Sequence, residues 1–255
     1  MRVSVIQQGG KAWDSEMIEK LKAVLAKTEA FLKGRGLGVL TKNLLVFAYP
    51  TAAIPGTGSA NAYYNRVKDI AAIAAGSDWF SNSTVDRMVQ TMVHELGHRA
   101  YYQIIGNTGR GAWEGFFEAM QSPPDVDGMI RRWKAWVQQA KDSKEQRRRS
   151  HFGMWFPELS GKDAEAAQWL LMAVRSLGLQ KGEKFDSYYG NPTPTSVAAL
   201  DVLEDRKDEV KVFAEPVTAY SATNPSELFA EVFAHYIAHG PRTLSPRVRA
   251  EFKRT

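Results

Sequence analysis

From Ser15 to Leu32 the apolar residues Met17, Ile18, Leu21, Val24, Leu25 and Leu32 recur at helical spacing, and Gly34 ends the pattern. Leu44–Tyr49 is a short apolar run closed by Pro50, the signature of a buried strand. Val67–Ala74 reads as a second strand. A longer helix is expected over Ser83–Ile105, with Ser83 as N-cap and Gly106 as stop. Its residues Val85, Met88, Val89, Met92, Leu96 and Arg99/Ala100 keep a 3.6-residue period and define one packed stripe. Helical patterns recur near Ala112–Met120, Met129–Ala140, Ala164–Leu177 and Ser196–Phe213, broken by Ser122-Pro-Pro and Asn191-Pro-Thr-Pro. A last helix opens at Asn224-Pro225 and closes at Gly240-Pro241, with proline just inside its start and glycine just past its end. Mostly helical content with a few strands near the N-terminus predicts an α+β fold.

The 255 residues are 44% hydrophobic and 24% charged, ordinary proportions for a globular chain. Cysteine is absent, which excludes a disulfide framework, a thiolate metal site and a thiol nucleophile. The net charge of +5 is concentrated: eight Lys and Arg stand between Arg131 and Arg149 against Asp142 and Glu145. A charge run of this kind is usually a solvated helix face, and Arg147–Arg149, with no aromatic interleaved, makes a poor case for nucleic acid. It does leave segment 131–149 as a candidate docking face for a protein partner. Trp133 and Trp136 share a helical face with Ile130, Val137 and Ala140 and are expected in a core. The loop at Pro55-Gly-Thr-Gly-Ser-Ala lacks the Gly-Lys-Ser/Thr of a phosphate cradle. No apolar run is long enough for a leader peptide or a membrane span, so no membrane partner is expected and a cytoplasmic location is the default. A phage-encoded protein, or one exported without a signal, would read the same way.

The stretch that carries chemistry is His94-Glu95-Leu96-Gly97-His98, an HExxH motif. Histidines at i and i+4 share one helical face, so their ring nitrogens reach a common metal ion, and the Glu beside them can accept a proton from a water on that ion. With five His and sixteen Glu in the chain, random placement yields the pattern on the order of 0.01 times. Helix phase adds to this: at about 100° per residue His94 and His98 lie roughly opposite the centre of the apolar stripe. They face a second surface, as a metal site between this helix and another element requires.

A catalytic zinc site takes a third protein ligand and keeps one position open for water. His151 lies in a basic, loop-like stretch, and His235 and His239 form another i, i+4 pair. Glu227, with Glu231 one turn on, is a further candidate: one carboxylate could bind metal while the other orients a ligand histidine. Asn224 followed by Glu227 is equally a capping box that needs no metal, and Glu231 could simply sit near the positive helix N-terminus. Spacing alone leaves these alternatives open.

HELGH together with Tyr220-Ser-Ala-Thr-Asn-Pro-Ser-Glu227-Leu-Phe-Ala-Glu231-Val-Phe resembles the gluzincin metallopeptidases, above all the catalytic domain of anthrax lethal factor and its bacterial and phage relatives. The resemblance implies a zincin-like domain holding one Zn2+ per chain on His94, His98 and Glu227. It implies Glu95 as general base and acid, Tyr220 as stabiliser of the transition-state oxyanion, and Glu231 as a carboxylate behind the ligands. The activity it implies is zinc-dependent endopeptidase action on a protein or peptide. It covers about 40 residues in two blocks. The chain between His98 and Glu227 is far longer than two zinc-binding helices need, so a single domain over 1–255 is expected to carry a mainly helical insertion over 107–216. An amide hydrolase acting on peptidoglycan, or a metal-holding structural protein such as a virion component, would use the same residues. An extended substrate is expected to add to a sheet edge at Leu44–Tyr49 or Val67–Ala74.

Overall fold

The computed structural model describes residues 1–6, 12–55, 57, 60–139, 141–144, 146, 173, 177, 203–218, 220–222 and 224–255. Two units emerge, Met1–Glu114 with Phe229–Thr255, and Gly115–Leu228. The helix Gly106–Ala119 spans the first boundary, so residues 107–114, placed in the insertion by sequence, belong to the first unit.

The first unit opens with β1 (Arg2–Val5), α1 (Ser15–Lys33), β2 (Leu45–Tyr49), β3 (Ala62–Asn65) and β4 (Ile70–Ala74). The strands form one mixed sheet in the order β1-β2-β4-β3, with β1, β2 and β4 parallel and β3 antiparallel to β4. Register pairs Val46 with Ala71 and Ala48 with Ile73, all four fully buried on one face. On the other face Phe47 and Tyr49 join Ala72, Ala74 and Ile54 in a small apolar cluster. A parallel sheet is covered on both sides, which is why β4 can be almost entirely apolar. In α1, Asp14 caps the first turn by accepting from Met17 N (2.7 Å), and Leu21, Val24, Leu25, Thr28 and Leu32 are buried.

Two strand expectations need correction. Val67–Ala74 is not one strand. Asn65 Oδ1 accepts from Val67 N and Lys68 N, turning the chain, and only Ile70–Ala74 pairs. Both strands proposed as substrate edges lie inside the sheet; the outer strands are β1 and β3.

Helices α2 (Asp78–Asn82) and α3 (Val85–Arg99) come next along the chain. The cap of α3 is Thr84, whose Oγ1 accepts from Arg87 N, and not Ser83, whose own N–H closes α2 on Trp79 O. The expected helix to Ile105 stops being α-helical at Arg99 and widens into a π turn over Ala100–Ile104, with Ile105 N donating to Ala100 O. The wider turn changes the helical phase of residues 100–104 relative to α3. Tyr101 is buried there, its hydroxyl donating to Glu114 (2.7 Å). Gly106, at φ +69°, then starts α4 (Gly106–Ala119).

Arg99 ends α3 in a part-buried network. Its Nε and Nη2 donate to the two carboxylate oxygens of Asp69 (2.8 and 2.7 Å), and Nη1 donates to the Leu40 and Lys42 carbonyls. Tyr64 Oη donates to the same Asp69 (2.7 Å). These hydrogen bonds, that of Arg99 first, hold the Asp69 carboxyl below the usual carboxylate range. The stabilisation this linkage supplies is present above the carboxyl's ordinary pKa and is lost as pH falls through its lowered one. Asp69→Asn keeps the left-handed backbone (φ +48°), which asparagine tolerates. The variant is expected to lose about 1–2 kcal/mol at pH 7, a partly exposed pair being worth less than a buried one. Thermal melts from pH 7 to pH 2 should show the gap to wild type closing at the acid end. A gap constant across that range would refute the linkage.

In the second unit, β5 (Gln121–Ser122) pairs antiparallel with β6 (Val212–Phe213), separated in sequence by α5 (Val126–Gln138). Phe117 stacks on Phe213 at 5.4 Å, and Ala214 N donates to Met120 O. The helix expected over Ser196–Phe213 does not reach its end: a 3-10 turn at Lys207–Glu209 leads instead into β6, whose Val212 and Phe213 are buried. Apart from Ala173 and Leu177, the expected helix Ala164–Leu177 lies outside the described residues, as do His151, Arg147–Arg149 and the side chains of Trp133 and Trp136.

The chain ends with α6 (Pro225–His239) and α7 (Pro246–Arg254), the latter capped by Ser245. Trp113, Phe229, Tyr236 and Phe252 form a connected aromatic core in the first unit, with Trp113–Phe229 rings 5.4 Å apart and Tyr236–Phe252 rings 5.3 Å apart. No helix among the described residues is long and apolar enough to cross a membrane. The class is α+β, with a small mixed sheet.

Candidate metal centre

On α3 the apolar stripe behaves as its period predicts: Met88, Val89, Met92, Leu96 and Ala100 are buried. His94 lies off that stripe and is half-buried, while its ring stands edge-on to His98 with centroids 4.9 Å apart. Glu95 is only 7% exposed.

Helix α6 begins where the sequence places it. Asn224 Oδ1 accepts from Glu227 N (3.0 Å), which is the N-cap half of a capping box, and Pro225 occupies the first helical position. From Phe229 onward this helix belongs to the first unit, and Glu227 extends from it by half a turn. The two helices meet at Gly97. A Cβ there would stand 2.8 Å from the Ala230 Cα and 3.1 Å from its carbonyl oxygen, so only glycine allows the backbones this close. That approach has a direct result. One potential ligand atom from each of His94, His98 and Glu227 lies within 4.8 Å of the other two.

Glu231, one turn after Glu227, places Oε1 2.8 Å from His94 Nδ1. The approach is an ion-pair distance outside hydrogen-bond geometry; a carboxylate that close would, once aligned, favour the Nδ1–H tautomer and leave the Nε2 lone pair for a metal. The donor set suits zinc. Two imidazoles and one carboxylate match a three-ligand catalytic site, whereas magnesium and calcium prefer all-oxygen shells. Charge suits it as well: Glu95, Glu227 and Glu231 concentrate three carboxylates on two adjoining helices, which a dication would balance.

No family model matches the chain, nor does any curated protein or solved structure. Among the described residues, no other group of three or more His, Asp or Glu gathers in this way. His235 and His239 stand ring to ring at 4.8 Å without a third ligand, so the rival pair does not complete a three-ligand site there. Tyr220 opens a 3-10 turn, Tyr220–Ala222. The turn is fixed by buried Ser221, which donates to Thr218 O (2.6 Å) and accepts from Val217 N and Thr218 N. The Tyr220 side chain lies outside the described residues. Sequence reading missed Gly97 and Ala230 as the contact that assembles the site. The signal for it was a glycine inside a strong helix, which costs about 1 kcal/mol against alanine and so usually has a packing reason.

Proposed function

We propose that the chain is a zinc-dependent endopeptidase of the gluzincin type, built on a zincin-like fold. The observation that carries this reading is the convergence of His94, His98 and Glu227 beside the HExxH glutamate. His94 and His98 would hold the ion through ring nitrogens and Glu227 through a carboxylate oxygen, with Glu231 keeping His94 in its binding tautomer. When bound, zinc supplies Lewis acidity, which makes a water nucleophilic near neutral pH and polarises a carbonyl.

The remaining work falls to side chains of this chain. Glu95 takes a proton from the attacking water on its carboxylate and delivers it to the departing amine nitrogen. The Tyr220 hydroxyl donates a hydrogen bond to the carbonyl oxygen as charge develops there, a contribution of about 3–4 kcal/mol for one such donor. Of the two outer strands, β3 packs along α3, which favours it over β1 as the edge that takes an extended peptide.

Elemental analysis after dialysis against a weak chelator tests the ligand set. Wild type is expected to retain about one zinc per chain, with three protein ligands, and Glu227→Ala to lose most of it. Full retention in Glu227→Ala would overturn the assignment. Comparing a denatured protein with peptidoglycan fragments as substrates would then separate peptidase action from cell-wall hydrolysis. Metal retention with turnover of neither would point to a structural role.

A further inference from the structure

The last two turns of α6 carry histidines that the proposed reaction does not use. His235 and His239 are one turn apart with ring centroids 4.8 Å apart, nearly the 4.9 Å of the His94–His98 pair. His239 is exposed and His235 half-buried, so the pair is open to solution on one side. The surroundings favour a cation. His239 is the final residue of α6, at the negative end of the helix dipole, and Glu231 lies one turn before His235. Arg35 also reaches these turns, its Nε donating to the Ile237 carbonyl while its guanidinium stacks on Phe31.

We propose that His235 and His239 form a second site for a divalent transition-metal cation, separate from His94, His98 and Glu227. Two imidazoles select zinc, nickel or copper over magnesium and calcium. With two protein ligands and water completing the shell, the site binds more weakly than the three-ligand centre and exchanges its ion with solution.

The test is equilibrium dialysis of the full chain against graded free zinc, with bound metal quantified. The expected result is one equivalent that depends on His239 and not on Glu227. It appears in wild type at higher free zinc than the first, persists in Glu227→Ala, and is lost in both His239→Ala and His239→Gln. Circular dichroism of each variant establishes that the loss is local. If no equivalent depends on His239, or if both His239 variants bind as much zinc as wild type throughout, the proposal is overturned. Loss of only the tight equivalent in Glu227→Ala bears on the first site and supports this one.

Discussion

Glu95→Gln is expected to keep its zinc and lose peptidase activity by about 10²–10⁴-fold, the span that positioned acid–base groups supply. The substitution is close to isosteric, so the packing around a side chain only 7% exposed should survive it. Activity should therefore fall while metal content and fold are kept, which a purely structural Glu95 would not produce. The measurement is an initial rate on a denatured protein substrate and a quenched peptide library, with zinc content determined on the same sample. Full activity at full metal occupancy would remove Glu95 from the mechanism. Loss of zinc together with activity would recast it as a residue that retains the metal.

The elements legible in the sequence are those whose signals are local. Helix α1 has Asp14 before it, Gly34 after it and an unbroken apolar stripe; α6 has Asn224-Pro225 and Gly240. Strand β2 is legible because one of its faces is buried and the other partly buried, giving a continuous apolar run. Strands β1 and β3 have no such signal. Arg2–Val5 and Ala62–Asn65 are four residues each at the sheet's outer positions, and they are strands because β2 and β4 pair with them. The π turn after α3 was equally invisible, because it answers to the burial of Tyr101 and its bond to Glu114. For the site, HExxH is local and the pair of candidate metal-binding histidines could be read directly. The third ligand could not be chosen by spacing, since Glu227 and the His235/His239 pair both satisfy one-turn geometry. The distinction is tertiary: the Gly97–Ala230 contact brings the first turn of α6 to the histidines, while the last turns of the same helix gather no third ligand.

That contact yields the most specific structural expectation, the behaviour of Gly97→Ala. Alanine is the better helix former by about 1 kcal/mol, so in an open helix the change should stabilise. Gly111 supplies that reference: it lies inside α4 with nothing within 4 Å of an added Cβ, and Gly111→Ala should raise stability by about 0.4–1 kcal/mol. At Gly97 the same methyl meets backbone, with the Ala230 Cα at 2.8 Å, and neither helix can yield by turning a side chain. The overpacking cost of about 1–3 kcal/mol outweighs the propensity gain, so Gly97→Ala should melt below wild type. The metal should feel it more than the fold. Ligand distances in a zinc site tolerate about 0.2 Å, and α6 must retreat by more than that to relieve the contact. A loss of zinc affinity of about 10–100-fold, the scale seen when the support behind metal ligands is removed, is the expected reading from chelator competition. Adding Ala230→Gly removes a methyl 3.3 Å away but leaves the Cα in place, so the double variant should recover only in part. Complete recovery would mean that side chains, and not backbones, set the distance between α3 and α6; unchanged zinc affinity in Gly97→Ala alone would mean that this distance does not hold the site together.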